Sequence, residues 1–192
     1  MSKKKIGVLA LQGAFAEHIR VFTALGCECT ELRQKADLTD DLDALVLPGG
    51  ESTVQGKLLR ELGMFEPLQR KIKDGLPVLA TCAGLILLAQ ELNNDPLTHF
   101  ATLPVTVRRN AFGRQLASFI ERIDFTGIGP FPMTFIRAPY VTECREDAVQ
   151  VLASVKGHPV AVRWQSQLAL AFHPELGGDK RIHEYFLQQF CN

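Results

Sequence analysis

The stretch PVLATCAGLILL, residues 77–88, decides the fold of this 192-residue chain. Apolar residues run into Thr-Cys-Ala-Gly, and an apolar pattern then resumes at helical spacing. This pattern predicts a buried strand, a sharp turn at Cys82 and a helix. The small residues Ala80 and Gly84 lie two positions on either side of Cys82, where a tightly turning backbone leaves no room for side chains.

Cys82 is a candidate nucleophile because of this placement. At the N-terminus of a helix, the macrodipole and the free backbone N–H groups favour a thiolate and can hold a developing oxyanion. A buried structural cysteine is the alternative, since free cysteines are among the most buried residues in proteins. The five cysteines form no CxxC pair, which argues against a disulfide framework and a zinc site, and we expect no metal.

Length and composition predict one domain spanning residues 1–192, with 46% hydrophobic and 22% charged residues. Twenty-one basic residues balance twenty-one acidic ones, so we expect neither nucleic acid nor an anionic membrane as a partner. No run approaches the ~18 apolar residues of a membrane span, and the lysines at 3–5 with their short apolar sequel do not make a signal peptide. The chain is therefore expected to be cytoplasmic.

Strand-like and helix-like segments alternate along the first half of the chain. This alternation predicts an α/β fold of three layers, in which helices flank a mainly parallel, flavodoxin-like central sheet. Strand patterns cover 6–10, 27–33 and 42–47, and helical patterns cover 13–26, a segment from after Thr53 to about 62, and 65–73. After about residue 93, β-rich segments predict added antiparallel strands, and a final helix follows Asp179; the segments lie near 102–109, 116–125, 131–136, 149–155, 159–164 and 168–172.

The motif His-Pro-Glu at 173–175 follows the apolar strand pattern at 168–172. A cysteine nucleophile needs a base, and the base needs an acceptor that orients it. His173 and Glu175 can supply both from one loop, although a surface loop is the alternative for these residues alone. The other histidines are interpreted as structural or solvated; they are at positions 18, 99, 158 and 183.

A glycine-rich segment, PGGES at 48–52, exposes backbone N–H groups next to a predicted helix start. An ordinary strand-to-helix turn with Ser52 as the N-cap is the alternative. Neither GxGxxG nor GxxxxGK[ST] is present, so a phosphate site has no motif to support it.

In six blocks the sequence resembles class I, triad-type glutamine amidotransferases, and among them the glutaminase subunits of pyridoxal phosphate synthase. The elbow and the His-x-Glu pair are shared by all triad amidotransferases, whereas RNAFGRQ and FIRAP are specific to this subfamily. One departure is Ala80, which stands where the broad pattern Gly-x-Cys-x-Gly has glycine and fits if its φ is negative. The blocks are GVLALQGAFAEH (7–18), LPGGEST (47–53), TCAGLI (81–86), RNAFGRQ (109–115), FIRAP (135–139) and FHPEL (172–176).

The resemblance implies a triad of Cys82, His173 and Glu175 that hydrolyses L-glutamine to glutamate and ammonia through a glutamyl thioester. Glutamine is a zwitterion, so Glu51 suits its α-ammonium and an arginine suits its α-carboxylate, with the choice of arginine left open. The alternative for the arginines is a solvated strand end or a contact with a partner chain. The implied oxyanion donors are Gly49, Gly50 and Ala83, and the implied substrate-binding residues are Gly50, Glu51, Ser52, Arg109, Ile136 and Arg137.

The resemblance further implies no cofactor and a (β/α)8-barrel synthase subunit that receives the ammonia through a tunnel. It implies low activity of the chain alone, with the Gly49–Gly50 peptide reoriented on docking. Two other hypotheses remain at this point: a glutaminase of another biosynthetic pathway, and a non-catalytic, redox-sensing relative.

Overall fold

The computed structural model describes residues 3–93, 95–112 and 118–191. Its elements are β1 (Lys5–Leu9), α1 (Phe15–Ala24), β2 (Glu28–Leu32), β3 (Ala44–Leu47), α2 (Ser52–Glu61), α3 (Phe65–Lys73), β4 (Val78–Thr81), α4 (Ala83–Leu88), β5 (Ala89–Leu92), β6 (Leu103–Arg108), β7 (Ser118–Phe125), β8 (Gly129–Ile136), β9 (Tyr140–Cys144), β10 (Gln150–Val155), β11 (His158–Trp164), β12 (Gln167–Leu170) and α5 (Arg181–Phe190). Short 3-10 turns cover Lys35–Asp37 and Pro174–Leu176.

Seven strands form the central sheet, in the order β10-β11-β12-β4-β3-β1-β2. The five strands from β12 to β2 pair in parallel, and β10 and β11 extend the sheet in antiparallel fashion. The other strands form two smaller sheets, β5-β6-β9 and the hairpin β7-β8. The prediction of a mainly parallel sheet with added antiparallel strands is therefore confirmed.

Helices cover the central sheet, whose middle strands are largely apolar. Every residue of β3, β4 and β12 is buried, as expected for parallel strands covered on both faces. Helices α1 and α5 contact each other through Phe22 and Phe186, whose ring centroids lie 6.3 Å apart. Helix α2 contacts α3 and α4. Within the described ranges, no helix combines the length and apolar character needed to cross a membrane.

Three strands differ from the sequence prediction. The segment 168–172 was predicted among the antiparallel additions, but β12 pairs in parallel with β4 and is antiparallel only to β11. Strands β5 and β9 were not predicted. Both lie in the small side sheet, where only one neighbour specifies each strand. Residues 113–115 of the RNAFGRQ block and residues 116–117 of a predicted strand lie outside the described residues.

Candidate active site

The chemistry-bearing loops leave three adjacent strands at the same edge of the central sheet. Strand β4 lies between β3 and β12, and all three run in parallel. The glycine-rich turn follows β3, Cys82 follows β4, and His173 follows β12. Residues beyond the carboxyl ends of neighbouring parallel strands come close together, which is where sites form in such sheets.

Cys82 stands on a strained turn between β4 and α4. Its φ of 49° and ψ of −98° lie in a region that side chains rarely occupy, and it is the N-cap of α4. Gly84 has no alternative here, because a Cβ on it would lie 2.2 Å from the carbonyl oxygen of Leu47 in β3. Ala80 lies within β4 and is not among the residues with positive φ, so its departure from the glycine pattern is sterically allowed.

His173 and Glu175 form a buried pair directly behind the elbow. The Nδ1 of His173 lies 2.7 Å from Oε1 of Glu175, and Glu175 is 1% exposed. The backbone N–H of His173 donates to the carbonyl of Thr134, at 2.8 Å, which fixes the start of the loop on β8. Pro174 opens the 3-10 turn that carries Glu175. The structure thus places the carboxylate where it orients the imidazole.

The pKa of His173 reflects its two neighbours. Burial alone lowers this pKa, but hydrogen bonds with Cys82 and Glu175 and the negative charges of both groups outweigh burial and raise it to about 10. At neutral pH the imidazole of His173 is therefore protonated. This is the charge distribution that a cysteine nucleophile needs.

The glycine-rich turn is held from two sides. The N–H of Gly49 donates to Oγ1 of Thr81, and its carbonyl accepts from the N–H of Ala14, each at 3.0 Å. Because the peptide is trans, the N–H of Gly50 points away from that carbonyl, and it forms no hydrogen bond with any described residue. A Cβ on Gly49 would lie 2.2 Å from Cε1 of His173, so the turn and the imidazole are in close contact.

Two glutamines that the sequence prediction did not include fix this turn. The side-chain carbonyl of Gln12 accepts from the N–H of Glu51 at 2.8 Å. The amide of Gln55 donates to the carbonyls of Gln12 and Pro48, at 2.9 and 3.2 Å. Gln12 follows β1, the neighbour of β3, so a polar residue at that strand end was the available signal.

The pocket at this edge has a volume of about 290 Å³, suited to a small polar molecule. Of the predicted site residues, Ala83 and Glu175 lie beneath it, and the others line it. Its lining consists of Gln12, Gly13, Ala14, Gly49, Gly50, Glu51, Ser52, Cys82, Ile86, Arg109, Asn110, Ile136, Arg137, His173 and Leu176.

The charged side chains of the pocket are already paired. Arg137 donates to Oε1 of Glu51 at 3.0 Å, and Arg109 donates to Oδ2 of Asp95 at 3.1 Å. Ser52 is the first residue of α2 rather than its N-cap, which is Glu51, and the buried Oγ of Ser52 has no hydrogen-bond partner among the described residues. This free hydroxyl oxygen, the Arg137–Glu51 pair and Arg109 are among the polar groups that a ligand in the pocket can contact.

Two further histidines lie beneath the triad. His18 on α1 and His183 on α5 are fully buried, and His18 approaches Glu175. The sequence interpretation treated both as structural or solvated. The available signal was the position of His18 in the apolar stripe of α1, between Phe15 and Phe22 at helical spacing. Among the described residues, no group of histidine, cysteine or carboxylate side chains is arranged to hold a metal ion.

Comparisons with known proteins agree with this geometry. The model of the SNO glutamine amidotransferase family matches residues 8–192. The chain is 61% identical to the pyridoxal 5'-phosphate synthase subunit PdxT of Desulfitobacterium hafniense (strain DSM 10664 / DCB-2), over 95% of this chain and 92% of that protein. It is 53% identical to the protein of the same name from Methanocorpusculum labreanum, over 97% of this chain and 98% of that protein.

A solved structure described as a glutamine amidotransferase superposes with a TM-score of 0.90 at 45% identity, covering 95% of this chain and 97% of that one. The family match spans all three loops that meet at the pocket, from the glycine-rich turn to the His-Pro-Glu motif. Fold, site geometry and sequence comparison therefore lead to one assignment: the chain belongs to the SNO glutamine amidotransferase family.

Proposed function

We propose that this chain is the glutaminase subunit of a pyridoxal 5'-phosphate synthase, acting in the cytoplasm as one amidotransferase domain over residues 1–192. The observation that carries the proposal is the meeting of Cys82 and His173 in one pocket, with Glu175 paired to the imidazole beneath it, in a chain of this family. The names of the relatives favour this pathway over another biosynthetic pathway. The buried Glu175 favours catalysis over redox sensing, because a sensor needs no group that orients an imidazole.

In the first half of the reaction, the sulfur of Cys82 attacks the side-chain amide carbon of glutamine. The oxyanion that forms accepts hydrogen bonds from the N–H groups of Ala83 and Gly50. Ala83 is the first residue of α4, where a backbone N–H has no intrahelical acceptor. His173, which carries the proton, gives it to the departing nitrogen, so ammonia leaves and a glutamyl thioester remains.

In the second half, the neutral imidazole of His173 takes a proton from water, which attacks the thioester carbon. The same N–H groups stabilise the second oxyanion, and glutamate and the thiolate are released. Glu175 stays ionised throughout and keeps Nδ1 of His173 protonated and aligned. These steps need no group beyond the chain, the substrate and water.

The substrate's two charges match the two charges at the pocket mouth. Glu51 accepts from the α-ammonium, and Arg137 or Arg109 binds the α-carboxylate, with the Oγ of Ser52 as a further partner. The Arg137–Glu51 pair is exposed, so substrate can replace each partner at little cost. Ile136 supplies apolar contact beside them.

Substituting Glu51 with glutamine is expected to raise KM for glutamine by about 10- to 100-fold, because one hydrogen bond between charged groups is lost. The effect on kcat is expected to be smaller, because Glu51 lies away from the reacting carbon. Steady-state glutamate release measures both constants. Glu61→Gln, on the exposed end of the same helix, is the control, and an unchanged KM in Glu51→Gln contradicts the binding role.

The partner is proposed to be a (β/α)8-barrel synthase subunit that binds over the pocket mouth and takes up ammonia. The relatives are named as synthase subunits, and exposed Ile136 and Leu176 lie beside the opening. Docking is proposed to set the Gly49–Gly50 peptide for oxyanion binding. In the structure the carbonyl of this peptide accepts from Ala14, and the preceding peptide is held through the Gly49 N–H, which donates to Thr81.

Glutamate release is expected to be slow for the chain alone and strongly stimulated by the synthase subunit of the same organism. The measurement is a coupled glutamate assay with and without that subunit. A glutaminase subunit from a different pathway would be stimulated by another synthase instead. Equal rates with and without the partner would contradict activation by docking.

A further inference from the structure

One oxygen of the Glu175 carboxylate faces away from His173 and is not used by the triad. Its Oε1 accepts from His173, but its Oε2 is buried and has no hydrogen-bond partner within the part of the chain that the structure describes. Nε2 of His18 lies 3.4 Å from this oxygen. An ionised carboxylate oxygen without a partner is costly to bury, so the protonation of that imidazole nitrogen matters.

His18 contacts polar groups through both ring nitrogens. Nε2 lies 3.2 Å from Oγ1 of Thr81, and Nδ1 lies 3.1 Å from Nε2 of His183. Burial lowers the pKa of His18 more than the charge of Glu175 raises it, so the ring is neutral and carries one proton. With the proton on Nε2, an N–H faces the carboxylate and the hydroxyl. With the proton on Nδ1, a lone pair would face the carboxylate instead.

The protonation of His183 independently indicates that the proton of His18 lies on Nε2. It is fully buried, burial lowers its pKa well below the ordinary value, and no described residue is a hydrogen-bond partner of its Nδ1. A buried donor without an acceptor costs more than an unused ring lone pair, so its single proton belongs on Nε2. From there it donates to Nδ1 of His18. The N–H groups of the two rings then point in one direction, from α5 through α1 to Glu175.

We infer that His18 is a positioning residue of the triad: its Nε2–H, fixed by His183, supports Oε2 of Glu175 and so holds the carboxylate that orients His173. The inference rests on the proposed function, because it assigns His18 a part in the same reaction. His18 touches neither the pocket nor the substrate. Through Thr81, which accepts from the N–H of Gly49, the same imidazole also contacts the support of the glycine-rich turn.

The charged and titratable groups around Glu175 define what a change at His18 would do. Burial raises the pKa of Glu175, but His18 and the hydrogen bond from His173 outweigh burial and lower it. A neutral His18 acts on the carboxylate through its N–H, which favours the ionised form, so removing this N–H raises the pKa of Glu175, and loss of activity on acidification begins at a higher pH. The groups that bear on the site are His173 on its own loop, Cys82 on the elbow, His18 and Glu17 on α1, and His183 on α5.

The test compares His18→Leu with His18→Gln in the chain assembled with its synthase subunit. Leucine fills the site without a donor, whereas the amide of glutamine can place an N–H at the position of Nε2. In His18→Leu we expect kcat to fall by about 10- to 100-fold, the effect of one hydrogen bond to a charged group, with KM unchanged. The acid limb of the pH profile of kcat should move to higher pH by about one pH unit. His18→Gln should restore both.

Controls separate this role from packing and from failure of the proposed function. His99→Leu removes another buried histidine, beside Arg60 and outside the pocket, and should lower thermal stability without moving the acid limb. If His18→Leu does not fold, His18→Asn, whose amide reaches only the Nδ1 side, replaces it. Equal loss in the Leu or Asn and Gln variants with an unmoved acid limb, or wild-type kcat in the Leu or Asn variant, overturns the inference. Activity that persists in Cys82→Ala overturns the proposed function instead.

Discussion

Replacing Cys82 with alanine is expected to reduce glutamate release by roughly 10⁴-fold or more, because nothing else in the pocket can form the thioester. The other lining groups include no second thiol. The fold should survive, since alanine keeps the apolar character of a residue that is 8% exposed and lacks only one sulfur atom. The φ of 49° at this position remains strained for alanine, so a small loss of stability is the expected side effect.

The measurement is glutamate release in the presence of the synthase subunit, with the melting temperature of each variant recorded beside it. Cys144→Ala is the matched control, because that half-buried cysteine lies on β9, away from the pocket, and should leave the rate unchanged. Trapping with an electrophilic glutamine analogue should label one residue and be lost in Cys82→Ala. Substantial release by a folded Cys82→Ala chain contradicts the triad.

The elbow and the His-Pro-Glu loop could be predicted from sequence because their signals are local. Apolar runs specify β4 and β12, and the residues that follow each run are the ones that face the pocket. Small residues at 80 and 84 indicate a tight turn with little space for side chains. In the structure, a Cβ on Gly84 would lie 2.2 Å from the carbonyl oxygen of Leu47. Local patterns of this kind predict the structure correctly because these strands are buried on both faces of the central sheet, so the local pattern and the folded environment agree.

The supports of the site could not be predicted from sequence, because their contacts join distant positions. Gln12 holds Glu51, 39 residues away, and His18 meets His183, 165 residues away. Each of these residues has a plausible structural role within its own segment. Only the order of strands in the sheet and the packing of α1 against α5 decide which partner each one meets.

The parallel pairing of β12 with β4 shows the same limit at the level of topology. The segment 168–172 was predicted among the antiparallel additions, and antiparallel pairing is present on one side, with β11. The other side of β12 pairs with a strand nearly ninety residues earlier, in the register Leu170 with Thr81. This long-range pairing, absent from local patterns, is what brings His173 to Cys82.

Replacing Glu175 with glutamine is expected to lower kcat by roughly 10³- to 10⁴-fold with little change in KM, as happens when the acid that orients a catalytic histidine loses its charge. Glutamine keeps the size of the side chain but removes the negative charge that raises the pKa of His173 toward about 10. That pKa should fall toward its ordinary value. The alkaline limb of the residual activity should therefore move to lower pH.

The pH dependence of the free energy of unfolding should change with the pKa of His173. Since the pKa of His173 in the folded chain is raised to about 10, the stabilisation from its charged form is complete below the ordinary histidine pKa and is lost as pH rises through about 10. In Glu175→Gln this loss should begin at lower pH. The ¹⁵N signal of the His173 ring follows its titration, and Glu28→Gln, at the amino end of β2, is the control. A Glu175→Gln chain whose His173 still titrates near pH 10 would show that Cys82 alone keeps the imidazole charged, and that the carboxylate acts on catalysis through orientation only.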